Sequence, residues 1–289
     1  MRVRSNYFLT TDGVRLHWLE AGDGIPLIML PGWSQSAVLF RDQFSGLSEH
    51  VRCIALDHRG HGESDKAEHG YRVDKLARDL QEFISFCGFK GVIILGHSMG
   101  ASVIWSYLNS FSDEAISGIV IVDQPAALTL PDYEPSELLR KSGAIFSWEV
   151  LNHTCSSLIG SNGIEFSKNM ILNMLSDEIS NADREWILKE NFKFPRHHAA
   201  TLLFNACVQD WRDTISMIKL PALIIGGEKS IVPPDSQRWI QSQIEGSRLQ
   251  IFSSDQGGYH FAFLENPEKF NLVVRQFVDE LKGSSDCYA

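Results

Sequence analysis

The feature that most limits the fold of this sequence is the regular alternation of short apolar runs with helix-like stretches. The runs, which are rich in strand-forming residues, fill positions 27–30, 51–56, 92–95, 119–122, 222–225 and 249–252. Uninterrupted apolar strands separated by helices are typical of parallel sheets, because helices cover both faces of such a sheet. We therefore predict an α/β fold with a mostly parallel central sheet.

Two flanking elements complete this sheet. Residues 7–10 and 14–19 predict a β-hairpin, since the Asp-Gly pair between them supplies the positive φ angles of a tight turn. Residues 72–87 carry apolar side chains every three or four positions, which predicts an amphipathic helix packed on the sheet. A closing helix is expected at 267–282, with Pro267 in its first turn.

The pattern changes after the run that ends near Asp123. No strand-like run occurs in residues 124–213, where helical stretches such as 169–175, 183–190 and 198–208 predominate. A helical insertion in an otherwise parallel α/β pattern is expected to form a cap over the sheet. We therefore predict a core of residues 1–123 and 214–289 and a helical cap, or lid, of residues 124–213.

Charge and composition limit the partners of the chain. The formal net charge of −10 opposes binding to nucleic acid or to an anionic membrane surface, and no basic patch offsets it. No apolar window is long enough to span a membrane, and the N-terminal residues lack a signal-peptide pattern. The five cysteines have no paired spacing, which favours a reducing compartment. We expect a cytoplasmic protein and leave the oligomeric state open, with a homodimer as one alternative.

The run Gly96-His97-Ser98-Met99-Gly100 is the strongest chemical signal. It follows one predicted strand and precedes a helix-compatible stretch, which is the setting in which G-x-S-x-G presents a nucleophilic serine on a sharp turn. The glycines remove side chains that would collide in so tight a turn. We predict that Ser98 is the nucleophile, while the alternative is an ordinary turn in which Ser98 caps the helix.

A serine hydroxyl needs a base within hydrogen-bond reach, and His260 is our candidate among ten histidines. It follows the last predicted strand in a loop with two glycines, at the edge where open α/β sheets place their ligand sites. His58, His61 and His97 are more consistent with supporting roles. His197 and His198 lack a carboxylate partner for a metal, and we predict neither a metal nor a cofactor.

Four segments together resemble the α/β-hydrolase superfamily over nearly the whole chain. They are Leu30-Pro31-Gly32-Trp33, Asp57-His58-Arg59-Gly60-His61-Gly62-Glu63-Ser64, the run around Ser98, and Gly257-Gly258-Tyr259-His260 followed by Leu264-Glu265-Asn266-Pro267. Within the superfamily the chain is most similar to capped esterases and cofactor-free haloperoxidase-like hydrolases. The resemblance implies an oxyanion hole formed by the backbone N–H groups of Trp33 and Met99. Pro31 stands where many relatives carry histidine.

The acid of the expected triad departs from the pattern of many relatives. They carry an aspartate after the penultimate strand, where this chain has Lys229, which cannot orient an imidazolium. The resemblance leaves two carboxylates, Asp123 after the earlier strand and Glu228. We favour Asp123 over Glu228, with Ser230 as an auxiliary hydrogen-bond partner, because some relatives place their acid after that strand.

A cap that closes over the edge of a sheet requires apolar walls around the substrate. The candidates for this pocket are His97, Phe146, Trp148, Trp186 and Tyr259. Most aromatic residues of a globular chain belong to its core, so we expect only some of these candidates to line the pocket.

These features predict a serine hydrolase that cleaves a small to medium hydrophobic ester or lactone through an acyl-enzyme on Ser98. Because a fold does not fix a reaction, three alternatives stay open. They are a cofactor-independent oxygenase of a heterocyclic substrate, a hydrolase with perhydrolase or haloperoxidase side activity, and a ligand receptor with little turnover.

Overall fold

An eight-stranded sheet forms the centre of the computed structural model, which describes residues 2–131 and 133–286. Its strands are β1 (Arg4–Leu9), β2 (Arg15–Ala21), β3 (Pro26–Leu30), β4 (Arg52–Leu56), β5 (Val92–His97), β6 (Ile116–Val122), β7 (Ala222–Gly227) and β8 (Arg248–Phe252). Their spatial order is β1-β2-β4-β3-β5-β6-β7-β8. The pairs β1–β2 and β2–β4 are antiparallel and the others are parallel. The predicted α/β class with a mostly parallel sheet is confirmed.

Burial explains why the central strands are uninterrupted apolar runs. Every residue of β5 and of β7 is buried, as both faces of these strands are covered. Strand β1 lies at the edge of the sheet, where Phe8 is buried while its neighbours Tyr7 and Leu9 are exposed. The alternation typical of a half-covered strand is therefore confined to the edge.

Helices connect the strands and fill the segment between β6 and β7. They are α1 (Arg41–Leu47), α2 (Val73–Cys87), α3 (Met99–Ser110), α4 (Ser136–Ser142), α5 (Trp148–Ile159), α6 (Gly163–Leu172), α7 (Asn181–Asn191), α8 (Arg196–Cys207), α9 (Arg212–Met217), α10 (Pro234–Gln243), α11 (Ala262–Glu265) and α12 (Pro267–Asp286). Helix α1 packs against α12, and α2 packs against α3. No helix in the described ranges is long and apolar enough to cross a membrane.

Residues 124–213, called the cap segment below, contain helices α4 to α8 and the start of α9. None of its described residues belongs to a strand of the sheet. A single bridge between Ala127 and Asp210 brings the two ends of the segment side by side. The division into a core of residues 1–123 and 214–289 and a cap of residues 124–213 stays a prediction.

The cysteines carry no disulfide in the part of the chain that the structure describes. Cys53, Cys87, Cys155 and Cys207 are free thiols, and Cys287 lies outside the described residues. Burial raises the pKa of Cys87 to about 11 and that of Cys53 to about 12, which disfavours their reactive thiolate forms.

A buried carboxylate organises the loop that follows β4. The side chain of Asp57 accepts hydrogen bonds from the backbone N–H of Ala37 (2.6 Å), the backbone N–H of Glu63 (2.9 Å) and Nδ1 of His17 (2.7 Å). Burial alone would raise the pKa of Asp57, but these donors outweigh it and hold the pKa below its usual value. The loop is thereby tied to the segment that follows β3.

Two histidines of this loop are buried in their neutral form. His58 donates from Nε2 to the carbonyl oxygen of Pro31 (3.1 Å), and burial lowers its pKa to about 4. His61 donates from Nδ1 to the carbonyl oxygen of Arg59 (2.9 Å) and accepts at Nε2 from the N–H of Ser34 (3.0 Å). The Nε2 atom of His61 can accept this hydrogen bond only when it carries no proton. Burial lowers the pKa of His61 to about 3, which agrees with an unprotonated Nε2.

Acid should therefore destabilise the protein well before its carboxylates titrate. The pKa of each histidine lies below its unfolded value of roughly 6.5, so the unfolded state binds more protons as the pH falls. Their stabilisation is complete above pH ~6.5 and is lost towards pH ~4 for His58 and pH ~3 for His61, at up to about 1.4 kcal/mol per pH unit for each histidine. Urea unfolding between pH 7 and pH 5 measures this slope. His58→Gln, which keeps an N–H donor for Pro31 but does not titrate, should show a shallower slope; an unchanged slope would contradict the assignment.

Glycine is required where α3 begins against β3. A Cβ at Gly100 would lie 2.3 Å from the carbonyl oxygen of Leu30 and 3.0 Å from that of Pro31. Neither oxygen can move far, because one ends a buried strand and the other accepts the hydrogen bond of His58. The close approach of α3 to β3 therefore depends on the missing side chain.

We expect Gly100→Ala to lower the free energy of unfolding by about 2–3 kcal/mol, because overpacking forces backbone shifts. The matched control is Gly283→Ala in α12, where no heavy atom lies within 4 Å of the added Cβ. That control should be neutral or stabilising, since alanine favours a helix over glycine. Thermal or denaturant unfolding of both variants tests the difference, and equal stabilities would contradict it.

Candidate active site

Ser98 lies on the sharp turn between β5 and α3. Its backbone has φ of +51° and ψ of −127°, a conformation that non-glycine residues rarely adopt. Its N–H donates to the carbonyl oxygen of Val122 in the neighbouring strand β6 (2.8 Å), so the turn is fixed to the sheet. A Cβ at Gly96 would lie 2.5 Å from the nitrogen of Ala101, which explains the glycine two residues before the serine. The turn directs the Ser98 side chain to a cavity at the sheet edge.

His260 and Asp123 form a buried hydrogen-bonded pair beside the same cavity. Nδ1 of His260 donates to Oδ2 of Asp123 at 2.6 Å, and the two side chains are 3% and 2% exposed. This bond assigns the proton to Nδ1 and leaves Nε2 as the basic nitrogen. Within the described residues, no hydrogen bond joins Nε2 of His260 to Oγ of Ser98, although both residues line the cavity. Catalytic hydrogen bonds are often long before substrate binds.

The last residue of β7 and the loop after it supply hydrogen-bond donors to the carboxylate of Asp123. Oδ1 accepts from the backbone N–H of Gly227 (3.3 Å), and Oδ2 accepts from the hydroxyl of Ser230. Glu228, the alternative acid, is exposed and accepts a hydrogen bond from the N–H of Ser254 (3.0 Å) instead. The structure thus brings Asp123 to His260 and leaves Glu228 apart from it.

Trp33 and Met99, whose backbone N–H groups are the predicted oxyanion donors, both line the cavity. Met99 is the first residue of α3, where a backbone N–H has no partner within the helix. Neither N–H donates to another of the described residues, and both residues line the cavity beside Ser98. Two residues with uncommitted N–H groups that share the cavity with Ser98 match the requirement for holding a developing oxyanion.

The cavity lies between the sheet edge and the cap segment and encloses about 640 Å³, including the part that opens to solvent. Its walls are mainly aliphatic, aromatic or sulfur-containing side chains. The lining residues are Trp33, Gln35, Ser98, Met99, Gln124, Leu128, Ile145, Phe146, Met170, Ile171, Met174, Leu203, Ala206, Cys207, Ile231, Val232 and His260. No Lys, Arg, Asp or Glu is among them, so the pocket suits an uncharged apolar group.

Of the five pocket candidates from the sequence, Phe146 lines the cavity and the other four do not. His97 is fully buried behind it, where Nε2 donates to the backbone oxygen of His260 (2.8 Å) and Nδ1 contacts Gln35 (3.0 Å). It therefore supports the loop that carries the base. Trp148 begins α5 and is 40% exposed, because its side chain projects from the cap towards solvent.

Trp186 and Tyr259 also lie elsewhere. The guanidinium of Arg41 covers the ring of Trp186 at 4.2 Å, so this tryptophan joins the cap to the core. Tyr259 lines a separate polar depression with Glu178, Asp183 and other residues. Both corrections have the same cause: the sequence identified apolar surface but not the direction in which each helix or loop presents it.

Sequence reasoning missed most of the apolar wall and two polar residues of the cavity. Gln124 directly follows Asp123, and Ile231 and Val232 follow Ser230, so neighbouring positions carried a usable signal. Helix α6, the residues directly after it and helix α8 contribute residues that are three or four positions apart in each segment. These residues are Met170, Ile171, Met174, Leu203, Ala206 and Cys207.

No group of three or more His, Cys, Asp or Glu side chains in residues 2–131 and 133–286 is arranged to hold a metal ion. The centroids of the adjacent His197 and His198 rings are 5.8 Å apart, and the ring planes are inclined at 65°. His198 packs on Tyr71 at 4.3 Å, which accounts for its position in the cap.

Known proteins resemble this chain along nearly its whole length. A sequence model of the alpha/beta hydrolase fold family matches residues 25–152. The AB hydrolase superfamily protein YisY of Bacillus subtilis (strain 168) is 27% identical over 279 residues, which cover 94% of this chain and 98% of that protein.

Two solved structures share the architecture. A bromoperoxidase from Bacillus anthracis has a TM-score of 0.87 and 20% identity, covering 96% of this chain and 100% of its own. The esterase EaEST from Exiguobacterium antarcticum has a TM-score of 0.85 and 24% identity, covering 96% and 99%. At these identities the structures show the fold, which is the α/β-hydrolase fold. The family match over residues 25–152 and the shared architecture together show that this chain has the α/β-hydrolase fold.

Proposed function

We propose that the protein is a serine hydrolase that cleaves a neutral, apolar carboxylic ester or lactone. The observation that carries this proposal is Ser98 on its strained turn, in an apolar cavity that it shares with an Asp123-bonded His260. A nucleophile, an oriented base and uncommitted backbone donors are the groups that acyl transfer requires.

Acylation begins when the substrate carbonyl enters the cavity beside Ser98. Nε2 of His260 takes the hydroxyl proton as the Ser98 oxygen attacks the carbonyl carbon, which gives a tetrahedral intermediate. The N–H groups of Trp33 and Met99 donate to its negatively charged oxygen. His260 then returns the proton to the departing alkoxide, and the acyl group remains on Ser98.

Deacylation repeats these steps with water as the nucleophile. Nε2 of His260 removes a proton from the water, and the resulting intermediate collapses to the carboxylic acid and the free Ser98 hydroxyl. Throughout, Asp123 keeps the proton of His260 on Nδ1 and stabilises the imidazolium that forms in each half-reaction. In a lactone the leaving oxygen stays attached to the acyl group, so the product is a hydroxy acid.

The test of the proposed triad is a set of three variants. Ser98→Ala and Asp123→Asn should each lower kcat for p-nitrophenyl butyrate by about 10⁴-fold, because one loses the nucleophile and the other the tautomer of the base. Glu228→Gln is the matched control and should retain activity within about twofold, as expected for a surface substitution. Unchanged turnover by Ser98→Ala, or a greater loss in Glu228→Gln than in Asp123→Asn, would refute the assignment.

The lining of the cavity predicts discrimination by charge. A butyrate ester should exceed the similarly sized p-nitrophenyl monoester of succinate in kcat/KM by about 100-fold, because the buried succinate carboxylate would lack a partner. Ile231 is partly exposed at the cavity. Ile231→Lys should lower the kcat/KM ratio of the butyrate ester to the succinate monoester. The ammonium of the introduced side chain can reach the succinate carboxylate while its aliphatic stem stays packed. Equal kcat/KM values in the unmodified protein would contradict the proposed substrate class.

A cofactor-independent oxygenase is the second candidate, because the buried His260–Asp123 pair could also act as a base without an acyl-enzyme. In that reaction the His260–Asp123 pair would deprotonate a heterocyclic substrate, and Ser98 would not form an acyl-enzyme. Oxygen consumption that survives Ser98→Ala but is lost in His260→Ala would identify it and would exclude the ester hydrolase.

A further inference from the structure

The segment after β3 holds an unfavourable backbone conformation at one residue. Trp33, whose N–H is an oxyanion donor in the proposed function, is followed by Ser34 with φ of +57°. This is the left-handed region, which disfavours a residue with a side chain. Trp33 and Ser34 are the two central residues of one turn, which the hydrogen bond from the Gln35 N–H to the Gly32 carbonyl oxygen (3.2 Å) closes, so contacts that hold Ser34 in this conformation also help to hold the peptide that carries the Trp33 N–H.

The contacts of Ser34 come mainly from the cap segment. Its carbonyl oxygen accepts from Nδ2 of Asn191 (3.0 Å), and its hydroxyl donates to the carbonyl oxygen of Asn191 (2.9 Å). The same hydroxyl accepts from Nη2 of Arg196 (2.8 Å). From the core, the Ser34 N–H donates to Nε2 of His61 (3.0 Å). Asn191 ends α7 and Arg196 begins α8, so one corner of the cap provides three of these four bonds.

All three side-chain nitrogens of Arg196 donate hydrogen bonds within the cap segment. Nη1 donates to Oγ of Ser167 (2.7 Å) and Oδ1 of Asn191 (3.1 Å), and Nη2 donates to the carbonyl oxygen of Asn191 (2.6 Å). Nε donates to the carbonyl oxygen of Phe194 (3.1 Å). Burial lowers its pKa to about 10, so it stays charged at neutral pH. Among the described residues its partners are neutral oxygens rather than carboxylates, which indicates that it orders backbone instead of pairing charge.

Two further hydrogen bonds join the cap segment to the segment after β3. Nε1 of Trp33 donates to the carbonyl oxygen of Ala199 in α8 (2.7 Å). The hydroxyl of Ser36 donates to Oε2 of Glu190 in α7 (2.7 Å). Three residues on the core side thus depend on the α7–α8 corner for their orientation.

We propose that Asn191 and Arg196 are positioning residues for the oxyanion hole, which is complete only when the α7–α8 corner of the cap is seated on Ser34. This inference rests on the proposed hydrolase function. Loss of either residue frees Ser34 to return to an ordinary conformation, and the Trp33 N–H then turns away from the oxyanion position. The apolar walls that bind the acyl group are unaffected, because neither residue lines the cavity.

The first experiment measures kcat and KM of Asn191→Ala and Arg196→Lys with p-nitrophenyl butyrate. We expect kcat to fall by about 10–100-fold in each while KM changes by less than about threefold, because the lost interaction acts on the intermediate. Lysine keeps the charge of Arg196 but not the planar fork of donors. The control is Arg184→Lys in α7, whose guanidinium bonds the carbonyl oxygens of Ser176 and Ile179 and should leave both constants unchanged.

A second pair of variants tests the backbone directly. Glycine adopts the left-handed conformation freely and alanine does not, while both remove the hydroxyl of Ser34. Ser34→Gly should therefore retain several-fold more kcat than Ser34→Ala. A role limited to general cap stability predicts instead that the glycine variant is at least as impaired as the alanine variant.

Hydrogen–deuterium exchange separates this inference from the proposed function. Peptides that cover residues 31–40 should exchange faster in Asn191→Ala and Arg196→Lys than in the unmodified protein and in Arg184→Lys. Faster exchange without any Ser98-dependent turnover would support the grip of the cap on this segment and refute the hydrolase, and with it the catalytic role. Ser98-dependent turnover with unchanged exchange and unchanged kcat in both variants would overturn the inference and leave the hydrolase intact.

Discussion

The site depends on left-handed backbone at three residues that are not glycine. Among the described residues, only Ser34, Ser98 and Asp123 combine a side chain with positive φ, at +57°, +51° and +53°. They follow three neighbouring central strands, β3, β5 and β6, at the carboxyl edge of the sheet. Such conformations cost about 1–3 kcal/mol each, against a typical net stability of roughly 5–15 kcal/mol. The sheet must therefore be stable enough to hold all three at once.

The source of this restraint differs between the two sides of the site. The Ser98 N–H donates to Val122, and the Asp123 N–H donates to Ile225, both at 2.8 Å, so the strand ladder continues through each turn. The nucleophile and the acid are thus fixed by the most buried part of the core. Ser34 has instead three of its four hydrogen bonds from the cap. The proposed oxyanion donor is consequently the part of the site that responds to movement of the cap.

The sequence predicted the sheet more fully than the pocket, for a physical reason. Central strands such as β5 are buried on both faces, so their positions follow from apolar runs alone. The sharp turn between β5 and α3 follows from the glycines around Ser98. A pocket depends on how each cap helix is rotated about its axis, which tertiary packing decides. Thus α6 presents Met170 and Ile171 to the cavity, while Trp148, a better pocket residue by type, faces solvent.

The sequence pattern alone does not distinguish the two candidate acids, whereas their positions in the structure do. Asp123 and Glu228 follow adjacent strands, β6 and β7, so both could reach the same edge. Left-handed backbone turns the Asp123 carboxylate inward, where burial would be costly without donors. The last residue of β7 and the loop after it supply them through the Gly227 N–H and the Ser230 hydroxyl. That loop therefore stabilises the neighbouring strand's carboxylate instead of contributing its own, and Glu228 is left on the surface.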